Sequence, residues 1–401
     1  MKSVNPHLTA RAMGRCLVTA LAGASLLAVC SQASGERPPA AHSGSGFSYV
    51  HDEVAEVPWS IHVLKIDRTR TDFEFHTTLA QNSVLGLTTM TDQIKTLPSA
   101  LGQPLAAING DFWHEGRQHD GDPMGLHILE GELVSGPCPR SCFWIDTAGQ
   151  PQATNLLSLF TATWPGGQSV PFGLNEERTN DHAVLYTPRF GPAALTKSGR
   201  EIVLERAGKP GQWLPLRVGQ DISARVREIR ETGGTTLAPD RLVLSLSPAL
   251  AEQLPKLSVG DELKLSTATT PDLKGVTTAI GGGPALVRDG KALSFASSPK
   301  REPRTAIGWN ERFFFFLVVD GRQANVSAGM TFPELAAYME KLGCTAAMNL
   351  DGGGSSTFWV RGQVMNSPCY GHERPMANAL VLTRKPVSRN PARRPDKSGA
   401  K

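Results

Sequence analysis

The 401 residues are 40% hydrophobic and 19% charged, a balance that supports a packed core and excludes a wholly disordered chain. The formal net charge is +4, and the body of the chain has no basic stripe interleaved with aromatics, which argues against a nucleic-acid partner. Beyond the N-terminal segment no stretch is long and apolar enough to span a bilayer.

In chain order, Lys2, Arg11 and Arg15 precede an apolar run over 16–29 and then Ser31-Gln32-Ala33. Basic flank, apolar run and small residues together predict a signal peptide over 1–33, hence an exported protein, periplasmic or extracellular. Leu27-Ala28-Val29-Cys30 also resembles a lipoprotein box that would lipidate Cys30, although Val29 stands where that box has a small residue. A Gly/Ser/Pro linker follows over 34–46. Residues 47–104 read as an N-terminal α/β module with strands over 61–66 and 73–79 and a helix near 91–96. Short strands between turn residues over 183–186, 201–205, 221–229, 242–246 and 262–265 predict a β-rich lobe over about 155–270. The tail over 384–401 carries Arg384, Lys385, Arg389, Arg393, Arg394, Lys397 and Lys401; it reads as a solvated basic end, with an electrostatic hold on anionic envelope material as the alternative.

The chemistry-bearing residues follow buried strands. Asn349-Leu350-Asp351-Gly352-Gly353-Gly354-Ser355-Ser356-Thr357 comes after a predicted helix over 331–342, with Gly343 as its stop, and a strand over 345–350. Glycines beside Asp351 permit positive φ and close backbone approach, so N–H groups there can converge on an anion or a sugar oxygen; the plain alternative is a tight turn capped by its Asp. Leu105-Ala106-Ala107-Ile108 runs into Asn109-Gly110-Asp111-Phe112-Trp113, and the apolar run over 313–319 ends in Asp320-Gly321-Arg322. Pro303-Arg304-Thr305 offers a guanidinium for a bidentate anion contact, and Gly281-Gly282-Gly283 a second glycine cradle.

In this order the NGDFW, GGGPALV, PRTAIGW, VVDGR, SAGMTFPELA and NLDGGGSST segments resemble the phosphodiester glycosidase family, from about Ala106 to Leu382. The resemblance implies an α+β fold with a mixed-sheet catalytic domain over 105–383, the β-rich lobe being an insertion in it. It also implies a hydrolase for sugar-1-phosphodiesters, such as those of N-acetylglucosamine, acting on a phosphate-linked glycan without cofactor or metal. Members commonly carry a small residue where Asp111 stands, which makes that acid a departure.

Glycoside cleavage ordinarily needs two carboxylates, but a phosphate monoester leaves far more readily than an alkoxide. Asp351, with Asp111 or Asp320, is therefore expected to supply the nucleophile or base. Arg304, Gly281, Gly282, Gly283, Gly352, Gly353 and Gly354 are expected to hold phosphate, and Asn109, Asn349, Thr305 and Ser355 to orient sugar hydroxyls. Glu373 and Arg374 read as an edge cap or as a salt bridge near the cleft.

Two other classes use the same residues. A metal-dependent phosphodiesterase would take Asp111, Asp320, Asp351 and His119 as ligands. A glycan-binding envelope protein would use the cleft without turnover. His114, His119 and His127 near Asp120 and Asp122 suggest either a metal site or ordinary turn chemistry, the turn being favoured. Cys138, Cys142, Cys344 and Cys369 remain after the signal; an oxidising compartment predicts pairing of 138 with 142 and of 344 with 369.

Overall fold

The computed structural model describes residues 46–116, 118–208, 213–296 and 300–386. The predicted signal peptide, its Cys30 box, nearly all of the linker and the tail beyond 386 lie outside them. Among the described residues no helix is long and apolar enough to cross a membrane.

The unbroken apolar run over 313–319 explains how the central layers assemble. Phe313–Val319 is an inner strand of a seven-stranded sheet, in the order Phe47–Val54, Trp59–Asp67, Phe313–Val319, Arg304–Trp309, Ala346–Asn349, Ala285–Arg288 and Lys291–Ala292. Successive side chains of a strand point to opposite faces. Phe314, Phe316 and Val318 accordingly enter one core with Phe75, Ile108, Phe143, Ile280, Phe358 and Leu380. Phe315, Leu317 and Val319 enter the other, beneath Leu335, Ala336 and Met339. Those last residues form the inner face of the helix Phe332–Lys341, which starts at a reciprocal cap: Thr331 Oγ1 accepts from Glu334 N, and Glu334 returns a carboxylate oxygen to Thr331 N. The helix lies close on the sheet, since a Cβ at Gly308 would fall 2.5 Å from Met339 Cε and 2.8 Å from Cys344 Sγ.

A second sheet, in the order Gln363–Val364, Phe358–Val360, Gln103–Asn109, Ala379–Arg384 and Phe73–Thr77, covers the first core from its other side. A third, in the order Glu132–Ser135, His127–Leu129, Ala279–Gly281, Ser141–Ile145 and Pro151–Asn155, adds Phe143 and Ile280 to it. Seven strands between Leu157 and Thr270 close into a barrel, filled by Leu, Val and Phe side chains such as Phe160, Phe172, Leu204 and Leu244.

Two expectations are corrected. The fold is β-rich, with only three α-helices among the described residues, Met90–Lys95, Pro248–Gln253 and Phe332–Lys341. The sheets that carry the strand-end acids pair entirely antiparallel, and the one parallel register, Phe172–Leu174 against Ala183–Leu185, is in the barrel. Residues 47–104 do not form a separate module: Trp59–Asp67 pairs with Phe313–Val319, and Phe73–Thr77 with Ala379–Arg384. Strand pairing over such separations leaves no local trace in composition, so the segment reads as independent when taken alone.

Candidate active site

Gln103–Asn109 and Ala346–Asn349 lie in different sheets, and their following loops are bonded back to back. Asp351 N donates to Gly110 O at 2.9 Å, and Asn109 Nδ2 donates to Asp351 O at 2.7 Å. This brings Asp111 and Asp351 together. Asp111 is 2% exposed; its carboxylate accepts from Phe112 N at 2.8 Å and Gly125 N at 2.7 Å, while its own N–H donates to Asn378 Oδ1 at 2.8 Å. Burial lifts the Asp111 pKa to about 7; the Gly125 and Phe112 N–H groups oppose the rise, the neighbouring Asp351 charge adds to it and Arg140 counters it. Asp351 is half-buried. Burial raises its pKa too, against the Ser355 hydroxyl, the Gly352 N–H and the Arg374 charge, with Glu115 acting the other way.

Cations and rings surround these acids. Arg374 pairs with Glu115 at 2.8 Å and lies 4.7 Å over the Trp113 ring. Exposed Arg140 lies 4.6 Å over Phe112. Arg322 bonds Glu302, and its Nη2 sits 2.9 Å from where a Cβ at Gly353 would be. A Cβ at Gly354 would fall 2.4 Å from the Tyr370 ring, and Tyr370 is 55% exposed. Two large cavities lie elsewhere: neither the groove around Trp359 nor the one around Leu79 and Leu97 is lined by Asp111 or Asp351.

The structure redistributes several expected roles. Arg304 does not face the acids: its Nε donates to Met330 O at 2.8 Å and its guanidinium lies 4.1 Å over Phe332. Gly281 is a spacer, not a cradle, because a Cβ there would fall 2.3 Å from Asp111 Oδ2. A Cβ at Gly282 would fall 2.7 Å from Asn349 O, and Gly283 N donates to that same carbonyl. In the other triplet, Gly352 N donates to Asp351 Oδ1 and Gly353 N to Pro303 O, so neither N–H reaches outward for phosphate; Gly354 serves to admit Tyr370. Asn109 and Thr305 are buried and bonded to each other at 2.6 Å, and Asn349 Nδ2 donates to Gly283 O at 3.0 Å. These three hold the two loops in place and are out of reach of a sugar. Ser355 is buried beside Asp351.

Asp320 is 2% exposed and accepts four hydrogen bonds: Ser60 Oγ at 2.8 Å, His62 Nε2 at 2.9 Å, Asn366 Nδ2 at 3.1 Å and Ser367 N at 2.9 Å. Its lone pairs are occupied within the protein, which corrects its placement among the reacting acids. The four cysteines are free, so the expected pairings are not formed: Cys344 is packed beneath Gly308, whereas Cys369 lies beside Arg322. His119 and His127 are buried with both ring nitrogens unbonded, and among the described residues no group of three or more His, Cys, Asp or Glu is placed to hold a metal ion. Sequence reasoning passed over Arg140 and Trp113, and took Arg322 only as part of a turn. The Asn-Gly-Asp-Phe-Trp run signalled Trp113, but nothing local marked which arginines would turn toward the acids.

Residues 219–383 match the phosphodiester glycosidase family model. This stretch, under half of the chain, is similar to that family. Asp351, Asp320, Arg322 and Arg374 fall within the matched stretch, whereas Asp111, Trp113 and Arg140 precede it. The SPbeta prophage-derived uncharacterized protein YomE of Bacillus subtilis (strain 168) is 32% identical over 116 residues, which is 27% of this chain and 18% of that protein. A hypothetical protein from Synechocystis superposes with a TM-score of 0.68 at 19% identity, over 84% of this chain and 62% of that one. A Burkholderia pseudomallei K96243 protein described as exported superposes with a TM-score of 0.63 at 21% identity, over 81% of this chain and 74% of that one. The chain thus spans less than two thirds of YomE and of the Synechocystis protein. The two superpositions establish that this chain shares its fold with those proteins.

Proposed function

We propose that this protein is an exported hydrolase that cleaves the glycosidic C–O bond of a sugar-1-phosphodiester, releasing the sugar and a phosphomonoester. The observation that carries the reading is the convergence of Asp111 and Asp351 from two sheets, with Arg374 and Arg140 beside them. Asp351 is the more open acid and is oriented by the Gly352 N–H; it supplies the carboxylate at the anomeric carbon, as nucleophile or as base for the attacking water. Asp111, kept neutral up to about pH 7 by burial, carries the proton. Arg374 and Arg140 receive the departing phosphate in place of Arg304, as preorganised charge. Exposed Tyr370 supplies a flat face for a sugar ring. The family match supports a hydrolase acting on phosphodiester-linked sugar, and N-acetylglucosamine is the first sugar to test. The signal-like N-terminus and the exported Burkholderia neighbour support export; retention at the envelope through Cys30 or the basic tail is part of the same proposal.

Hydrolysis in ¹⁸O-water tests which bond breaks. Attack at carbon places the label on the sugar C1 hydroxyl and leaves the phosphomonoester unlabelled, with turnover insensitive to exhaustive chelation. Label in the phosphate, together with metal-restored activity after chelation, would overturn the glycosidase and favour a metal-dependent phosphodiesterase.

A further inference from the structure

The antiparallel register of the second sheet gathers positive charge at the end remote from the acids. Arg384 pairs with Gln103, and Val360, just before Arg361, pairs with Ala106. Both arginines therefore meet at the start of Gln103–Asn109, whose other end leads to Asp111. Lys95, the last residue of the helix Met90–Lys95, joins them around a cavity of about 640 Å³ backed by Trp359, with Gln103 as a neutral hydrogen-bonding group and no carboxylate in the lining. Lys95 pairs with Asp92 at 2.9 Å in an exposed pair, Arg384 reaches Asp72 at 3.4 Å, and Arg361 lies 5.0 Å over Phe47. An exposed pair such as Lys95–Asp92 is worth on the order of 0–1 kcal/mol and yields to a better anion.

We propose that this groove is a second anion-binding site, and that it holds a linear polymer whose phosphates repeat along the chain. Three cations spread around one cavity suit several anionic groups better than one. At about 3.3 Å per residue the seven-residue strand separates the groove from the acids by roughly 20 Å, so one polymer can lie on the groove while a terminal unit reaches the catalytic end. A bilayer surface fits less well, because the one aromatic of the site, Trp359, is 7% exposed and cannot insert.

Calorimetric titration of the full chain with medium-length inorganic polyphosphate tests the assignment. Saturable binding is expected, weakening with salt. Arg361→Gln with Arg384→Gln should weaken it about tenfold or more, and Lys95→Gln, an exposed position, by a smaller factor, with hydrolysis of a small sugar-1-phosphodiester unchanged in each. Wild-type affinity in the folded double variant overturns the site. So does loss of all binding on changing Arg389, Arg393 and Arg394 to Gln, which would give the anion to the tail. Groove-dependent binding to phosphatidylglycerol vesicles without binding to polyphosphate also overturns it, in favour of a membrane. Because the readout is binding, it stands or falls separately from the hydrolase assignment.

Discussion

Asp111 couples burial to chemistry and to stability at once. Its folded pKa of about 7 lies above the ordinary carboxyl value of 3.8, so the folded protein retains a proton that the unfolded chain has lost over roughly pH 4–7. The folded state binds more protons in that window, and stability therefore falls as pH rises through it, by up to about 1.4 kcal/mol per pH unit from this group. Melting temperatures across pH 4–8 should show the decline, and Asp111→Asn should flatten it, while being less stable at acid pH because one backbone N–H of Phe112 or Gly125 would face an amide NH₂. If Asp111 carries the proton, kcat/KM falls above about pH 7 in the wild type; a rate that rises through pH 7 would make Asp111 the base instead. Gly281→Ala should cost about 1–3 kcal/mol and most of the turnover, since its Cβ would displace the Asp111 carboxylate; wild-type kinetics in that variant would show that the contact relaxes freely. Arg374→Lys keeps the charge but loses the planar stack on Trp113, and is expected to raise KM for phosphate-bearing substrate more than it lowers the melting temperature.

Single elements place these residues by local rules acting under long-range pairing. The helix Phe332–Lys341 delivers the chain to Ala346–Asn349 and so to Asp351, and its reciprocal cap is worth about 1 kcal/mol. Thr331→Ala should lower the unfolding free energy by that amount while leaving kcat intact, which urea unfolding and kinetics on one preparation would check. Phe313–Val319 ends instead in Asp320, where Ser60, His62, Asn366 and Ser367 converge. Asp320→Asn turns an NH₂ toward one of these donors, at about 1–3 kcal/mol. The expected outcome is lost stability with turnover per folded molecule largely kept; abolished turnover at unchanged stability would return Asp320 to the reacting acids. The same strand-end pattern thus serves two ends: at Asp351 it leaves a carboxyl half-open, and at Asp320 it closes one in.

Across the whole molecule, much of the element order is legible in the residues, and the chemistry only in part. The apolar run over 313–319, the amphipathic helix over 331–342 and the short strands over 183–186 and 242–246 lie where period and turn residues place them, because periods of 2 and 3.6 are local properties of the chain. The position of Asp351 after a buried strand, and the six ordered segments that resemble the phosphodiester glycosidase family, are equally a matter of sequence. What only the tertiary structure decided is direction and environment. Antiparallel return of each strand replaced the expected mixed sheet, and barrel closure made one core of seven short strands. Contacts such as Asn109 to Asp351, 242 residues apart, determined that Asn109 and Thr305 face inward, that Gly281 makes room for a carboxylate, and that Arg374 rather than Arg304 lies beside the acids. A residue type specifies which hydrogen bonds and charges are available; which of them are spent within the protein and which remain for a substrate depends on neighbours that only the folded chain brings near.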